Sequence, residues 1–123
     1  MFNKYGSEFR RKNSEVNRKA ESRKALSRHP DRKPLIVERS DRATVIPDLD
    51  RKKYLVPDDM RISQLVHVIR SRGNITPTQA LFVFVDGGTL VSSSDTIESI
   101  YNKYKSTDGL LYITYCDEAT FGY

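Results

Sequence analysis

The stretch RISQLVHVIRSRG, residues 61–73, decides how this chain folds. Ile62, Leu65, Val66 and Ile69 recur at i, i+3, i+4 and i+7, which lines one face of an α-helix. Arg70 and Arg72 fall in the last turn, where cations offset the helix dipole, and Gly73 supplies the expected stop. On both sides of this helix the pattern turns to strands. Upstream, Leu35, Ile36 and Val37 mark a strand at about 34–40, and Tyr54, Leu55 and Val56 mark another at about 52–56, ahead of Pro57. Downstream, the run ALFVFV (80–85) meets Asp86, Gly87 and Gly88, a tight turn into Thr89, Leu90 and Val91. Asp95 with Glu98 opens a short helix over Ile97, Ile100, Tyr101 and Tyr104, and Gly109 precedes a last strand, Leu110 to Cys116.

The order is therefore strand, strand, helix, strand, short helix, strand. A sheet with one helix across its inner face buries every apolar stripe at once. The expected fold is α+β, a ubiquitin-like β-grasp with a four-stranded mixed sheet and a packed helix, preceded by two N-terminal helices. Phe2, Tyr5 and Phe9 would stripe the first of these helices. Asn13 or Ser14 would cap the second, which carries Val16, Ala20 and Leu26 and stops before Pro30. Both are too weakly apolar to persist undocked, so the first dozen residues are expected to be mobile.

Composition narrows the function classes. The chain of 123 residues is one domain with a modest core. Its longest apolar run is far short of the roughly 20 residues that span a bilayer, and the N-terminus is charged where a signal peptide is apolar, so neither a membrane span nor general secretion is expected. The single cysteine, Cys116, excludes an intrachain disulfide and fits the cytosol. The sequon at Asn74 to Thr76 then has no meaning.

Of the net charge of +5, residues 1–28 contribute +6, from nine Lys and Arg against three Glu. The basic arm (1–28), the β-grasp domain (29–116) and the C-terminal tail (117–123) form the expected organisation. An arm of this kind suits an anionic partner, and its interleaved aromatics could stack a nucleic-acid base. The domain itself is near neutral and carries no nucleic-acid recognition motif, so no nucleic acid is expected as partner. Cys116 with His29 or His67 lacks an orienting third group for nucleophilic catalysis. The same three residues make no metal motif, so no catalytic residue, metal or cofactor is expected.

Three segments are more specific: HPDRKPLIVER (29–39), DLDRKKYLVP (48–57) and the terminal TFGY (120–123). Together they resemble the autophagy-related ubiquitin-like modifiers, the group of the GABA-receptor-associated protein and the microtubule-associated light chains, from about residue 21 onward. The resemblance implies a processing cysteine protease that cuts between Gly122 and Tyr123. It further implies E1-like and E2-like enzymes that join Gly122 to phosphatidylethanolamine, placing a cytoplasmic protein on autophagosomal membranes. A glycine without a Cβ suits entry into a narrow enzyme tunnel.

The resemblance also implies capture of aromatic-x-x-aliphatic peptide motifs of receptors on the edge strand. The aromatic pocket would be lined by Glu21, Ala25, Pro34, Ile36, Lys53, Leu55 and Leu110, and the aliphatic pocket by Tyr54, Val56, Pro57, Met60, Leu65 and Val68. Arg32, Arg51, Arg72 and Lys53 would surround the groove and attract acidic flanks. Tubulin contact belongs to the family's first helix, and the arm here departs from the pattern before Glu21. Ala25 stands where a larger aliphatic is usual and Leu110 where phenylalanine is common, which implies a roomier or shallower aromatic pocket. His29 and Gly73 depart from bulkier family residues. A permanently soluble β-grasp adaptor is the alternative.

Overall fold

Strand β1, Arg32–Arg39, carries five consecutive buried residues, Lys33 to Val37, so both of its faces must be covered. The computed structural model, which describes residues 7–119, shows how. Leu35 and Val37 face a main core shared with Leu65 and Ile69 of α3 (Ile62–Gly73) and Ile97, Ile100 and Tyr101 of α4 (Ile97–Tyr104). Ile36 faces the other way, into a smaller cluster with Phe9 and Leu110 beneath α1 (Glu8–Lys12) and α2 (Glu15–Arg28). The remaining strands are β2 (Lys53–Pro57), β3 (Phe82–Val85), β4 (Thr89–Leu90) and β5 (Leu111–Cys116).

The sheet order is β2-β1-β5-β3-β4, with β1 and β5 parallel and every other neighbouring pair antiparallel. Among the described residues it thus has five strands where four were expected. The fifth, β4, is the two-residue arm that follows the turn at Asp86 and Gly87. Both have positive φ, 50° and 74°, which suits the right-handed twist of a tight hairpin.

Helix ends follow local chemistry. Ser14 accepts the Asn17 N–H at 3.1 Å to start α2, and Thr96, rather than Asp95, accepts the Ser99 N–H at 3.2 Å to start α4. The stop after α3 is one residue later than expected. Asn74 takes the left-handed conformation, φ 54°, while Gly73 stays helical. A Cβ on Gly73 would come within 3.2 Å of Ile75 and Leu49, so this glycine is used for close packing instead.

The N-terminal helices depart most from expectation. Residues 8–12, expected to be mobile, form α1 and dock. Phe9 is buried, its N–H donates to Glu38 Oε2 at 3.0 Å, and the Arg10 guanidinium lies 4.0 Å from the centre of the Tyr112 ring. Glu8 is 3.0 Å from Lys52 and also pairs with Lys12, and these two cations hold its carboxyl down at about 2. Burying Phe9 contributes on the order of 2–3 kcal/mol, which such a short helix needs. Phe2 and Tyr5 lie outside the described residues. With Phe9 buried, the aromatic stacking face imagined for the arm loses one of its three members.

Val16, read as part of the apolar face of α2, is 76% exposed, and the buried residue is Ser22. The helix docks on polar terms. Ser22 Oγ donates to the Asp108 carbonyl at 2.6 Å, and the Arg18 guanidinium meets the Asp108 carboxylate at 2.9 Å. Gly109, φ +87°, permits this approach, because a Cβ there would collide with Ser22.

Candidate functional site

Among the described residues β2 is an edge strand with one neighbour, β1. The Val37 N–H donates to the Lys52 carbonyl at 2.8 Å, and the register pairs Leu35 with Tyr54 and Pro34 with Leu55. Antiparallel ladders alternate bonded and non-bonded pairs, so Pro34, which has no N–H, falls at a non-bonded pair. The main-chain groups of Lys53 and Leu55 therefore point outward, away from the sheet. The Arg32 guanidinium approaches the outward Leu55 carbonyl at 3.4 Å.

Between this edge and α2 lies a cavity of about 430 Å³. Glu21 and Ala25 form its helical wall, Pro34, Leu35, Ile36 and Leu110 its floor, and Arg51, Lys53, Tyr54 and Leu55 its outer side. All seven residues expected at the aromatic pocket are in this lining. Leu35 was missed, because a strand alternation that sends its side chain to the core does not report its main chain. The cavity is apolar below and charged above: Ile36 and Leu110 are almost wholly buried, while Lys53 Nζ spans the mouth to Glu21 Oε2 at 2.7 Å. Both partners of that bridge are substantially exposed, so it adds little stability and can exchange for another charge.

The six residues expected at the aliphatic pocket divide by burial. Leu65 is completely enclosed and Val56 nearly so, both as members of the main core. Tyr54 and Met60 pack against that core while keeping some surface, and Pro57 and Val68 are likewise half-buried. Those four keep exposed surface at this end, with Leu65 and Val56 beneath them. Of the rim cations, Arg51 lines the cavity, and Arg72 lies 3.6 Å from Asp50 and 5.9 Å from the centre of the Tyr54 ring.

The Tyr54 hydroxyl is buried with no hydrogen-bond partner among the described residues. An orphaned buried hydroxyl costs about 1–3 kcal/mol. Tyr54→Phe is accordingly expected to raise stability by about 1 kcal/mol, read as a higher thermal midpoint, and an equal or lower midpoint would refute that reading.

Gly122 and Tyr123 lie outside the described residues. Cys116 is fully buried, with its Sγ 3.7 Å from Asp117, whereas His29 and His67 are exposed. Among the described residues no cluster of His, Cys, Asp or Glu is suited to a metal ion, and no helix is long and apolar enough to cross a membrane.

The chain matches the family described as "Autophagy protein Atg8 ubiquitin like" over residues 17–122. It belongs to the Atg8 family. Autophagy-related protein 8 of Mycosarcoma maydis is 44% identical over 116 residues, covering 94% of this chain and 97% of that one. Autophagy-related protein 8e of Arabidopsis thaliana is also 44% identical, over 117 residues, covering 95% and 94%. Among solved structures, the crystal structure of Trypanosoma brucei ATG8 superposes with a TM-score of 0.85 at 40% identity, covering 94% of this chain and 98% of its own. Similarity to the Atg8 family therefore reaches into the arm, further than the start near residue 21 that the motifs alone suggested. The chain is an autophagy-related ubiquitin-like protein with the Atg8 fold.

Proposed function

We propose that this protein is a non-catalytic modifier and adaptor that is cleaved after Gly122, conjugated to phosphatidylethanolamine and used to recruit receptors to autophagic membranes. The observation that carries the adaptor half is the apolar cavity set beside an unpaired strand edge. An extended peptide can add to the outward groups of Lys53 and Leu55 and seat an aromatic side chain over Ile36 and Leu110. The motif's aliphatic residue goes to the surfaces of Tyr54, Pro57, Met60 and Val68. Acidic residues flanking the motif can replace Glu21 as the partner of Lys53 and approach Arg51 and Arg32.

The modifier half rests on the tail. The family match runs to residue 122, taking in Gly122. A carboxylate becomes an acyl donor only after ATP adenylates it and a thiol takes it as a thioester, and both steps fall to the E1-like and E2-like partners. Glycine hinders neither step. Lipid attachment gives membrane residence to a domain without a spanning helix among its described residues.

The test is the intact mass and C-terminal peptide of the protein from starved cells, with Gly122→Ala alongside. A species ending at Gly122 together with a lipid adduct, both absent from the variant, is expected. Retention of Tyr123 without any adduct would leave a soluble adaptor that works through the groove alone.

A further inference from the structure

A carboxylate ties the end of β5 to a neighbouring loop. Asp117 directly follows β5, and it reaches across to the loop that follows β1. Its Oδ2 accepts the Thr44 hydroxyl at 2.7 Å and the Val45 N–H at 3.2 Å, while Oδ1 accepts the Thr44 N–H at 3.2 Å. Burial pushes this carboxyl up, but the bonds from Thr44 and Val45 outweigh it and hold it below its ordinary range.

The loop it grips is itself fixed. Arg39 donates to the carbonyls of Ile46 at 2.7 Å and Ala43 at 2.8 Å. Tyr115 Oη donates to the Pro47 carbonyl at 2.7 Å, and the Ser40 N–H donates to the Tyr115 carbonyl at 2.8 Å. Ala43 and Ile46 are buried, yet Thr44 and Val45 between them are exposed. An exposed pair of loop residues thus lies between two anchored neighbours, and both members of the pair bond Asp117.

We propose that Asp117 is a positioning residue for the tail: by clasping Thr44 and Val45 it sets the point and direction from which the segment to Gly122 leaves the domain. This inference rests on the proposed processing at Gly122. Four residues separate Asp117 from Gly122, and the five steps between them reach at most about 18 Å. An enzyme that docks on the domain must find the scissile bond within that radius, and misdirecting so short a segment lowers the fraction of bound complexes in which the bond sits correctly. Asp117 touches no reacting atom; it acts through the geometry of the chain behind the bond.

The experiment uses the full chain and a recombinant processing cysteine protease of this family, well below the thermal midpoint. For Asp117→Ala, kcat for cleavage of the Gly122 to Tyr123 bond is expected to fall about tenfold, with KM changed less than twofold because domain docking is intact. Thr44→Val, which removes the hydroxyl bond alone, should fall about threefold, and the double variant should be no slower than Asp117→Ala. Thr96→Ala, a distant cap loss of comparable effect on stability, should be cleaved at the wild-type rate.

Wild-type cleavage of Asp117→Ala would overturn the inference. So would a double variant slower by the product of the two effects, since that would mean the protease reads Asp117 directly. Equal slowing in Thr96→Ala would overturn it as a general stability effect. A wild-type chain that resists cleavage would instead overturn the processing reading on which the inference depends.

Discussion

Asp108→Ala is expected to cost the fold about 3–5 kcal/mol, lowering the thermal midpoint by roughly 10–20 °C. The carboxylate is 1% exposed and collects three donors: Arg18 Nε at 2.9 Å, the Tyr112 hydroxyl at 2.6 Å and the Leu110 N–H at 2.9 Å. Burial, and then the acceptor that Asp108 supplies, push the Tyr112 phenol well above its usual range. Removing the side chain leaves a guanidinium, a hydroxyl and an amide without their acceptor in largely dry surroundings, and that loss, rather than the net worth of the ion pair, sets the size of the effect. The damage should be directional. Arg18 and Ser22 are how α2 holds the domain, and Glu21 and Ala25 on α2 are one wall of the cavity. Hydrogen exchange should therefore rise first in α2, and peptide affinity should fall with it. A midpoint within about 3 °C of wild type would show that α2 is held by something else.

Leu55→Asp should leave the domain folded and weaken binding of an aromatic-x-x-aliphatic peptide by about 100-fold or more, measured by calorimetric or fluorescence titration. Leu55 is only half-buried on an edge strand, so in the free protein an aspartate there can hydrate. In the complex it would have to lose that water between the peptide's aromatic ring and the apolar floor of Ile36 and Leu110. Desolvating an unpaired carboxylate costs well over the roughly 2.7 kcal/mol that corresponds to 100-fold. Lys53→Glu is the electrostatic counterpart. It breaks the bridge to Glu21 and repels acidic flanks, so its loss should be nearer tenfold and should shrink as salt rises. Undiminished binding by Leu55→Asp would remove the groove from the adaptor reading.

The sequence announces the elements that bury apolar stripes and is quiet about those held by polar contacts. The i, i+3, i+4, i+7 pattern of Ile62 to Ile69 located α3, and the continuous run at Leu35 to Val37 located β1, because both are dictated by burial. The docking of α2 was illegible for the complementary reason. Its anchors are Arg18 and Ser22, residue types that are ordinarily solvated, and their partner Asp108 lies far away in sequence, in a turn. Lys33 shows the same blindness: it sits in a buried run with its ammonium 2.7 Å from Asp58 and 5.6 Å from the centre of the Tyr101 ring, and nothing local in the sequence marks it as enclosed. That Glu21, Ala25, Pro34, Ile36, Lys53, Leu55 and Leu110 share one cavity was legible only through the resemblance, which carries three-dimensional neighbourhood that periodicity does not. The clasp at Asp117 was missed because Thr44, Val45 and Asp117 become neighbours only through the parallel pairing of β1 with β5.

That parallel pairing also orders events in time. β5 follows the other four strands in chain order, yet it belongs in the middle of the sheet, between β1 and β3. Until residues 111–116 emerge, a nascent chain has two half-sheets with nothing to join them, and Leu35, Val37, Val83 and Val85 lack the Leu111, Ile113 and Tyr115 that share their core. Closure depends on a contact of long sequence separation, so it should be slow and come late, and until then the unpaired flanks of β1 and β3 invite chaperone binding. Folding on the ribosome cannot run ahead of translation here, and the domain reaches its finished shape only as the residues leading to Gly122 become available.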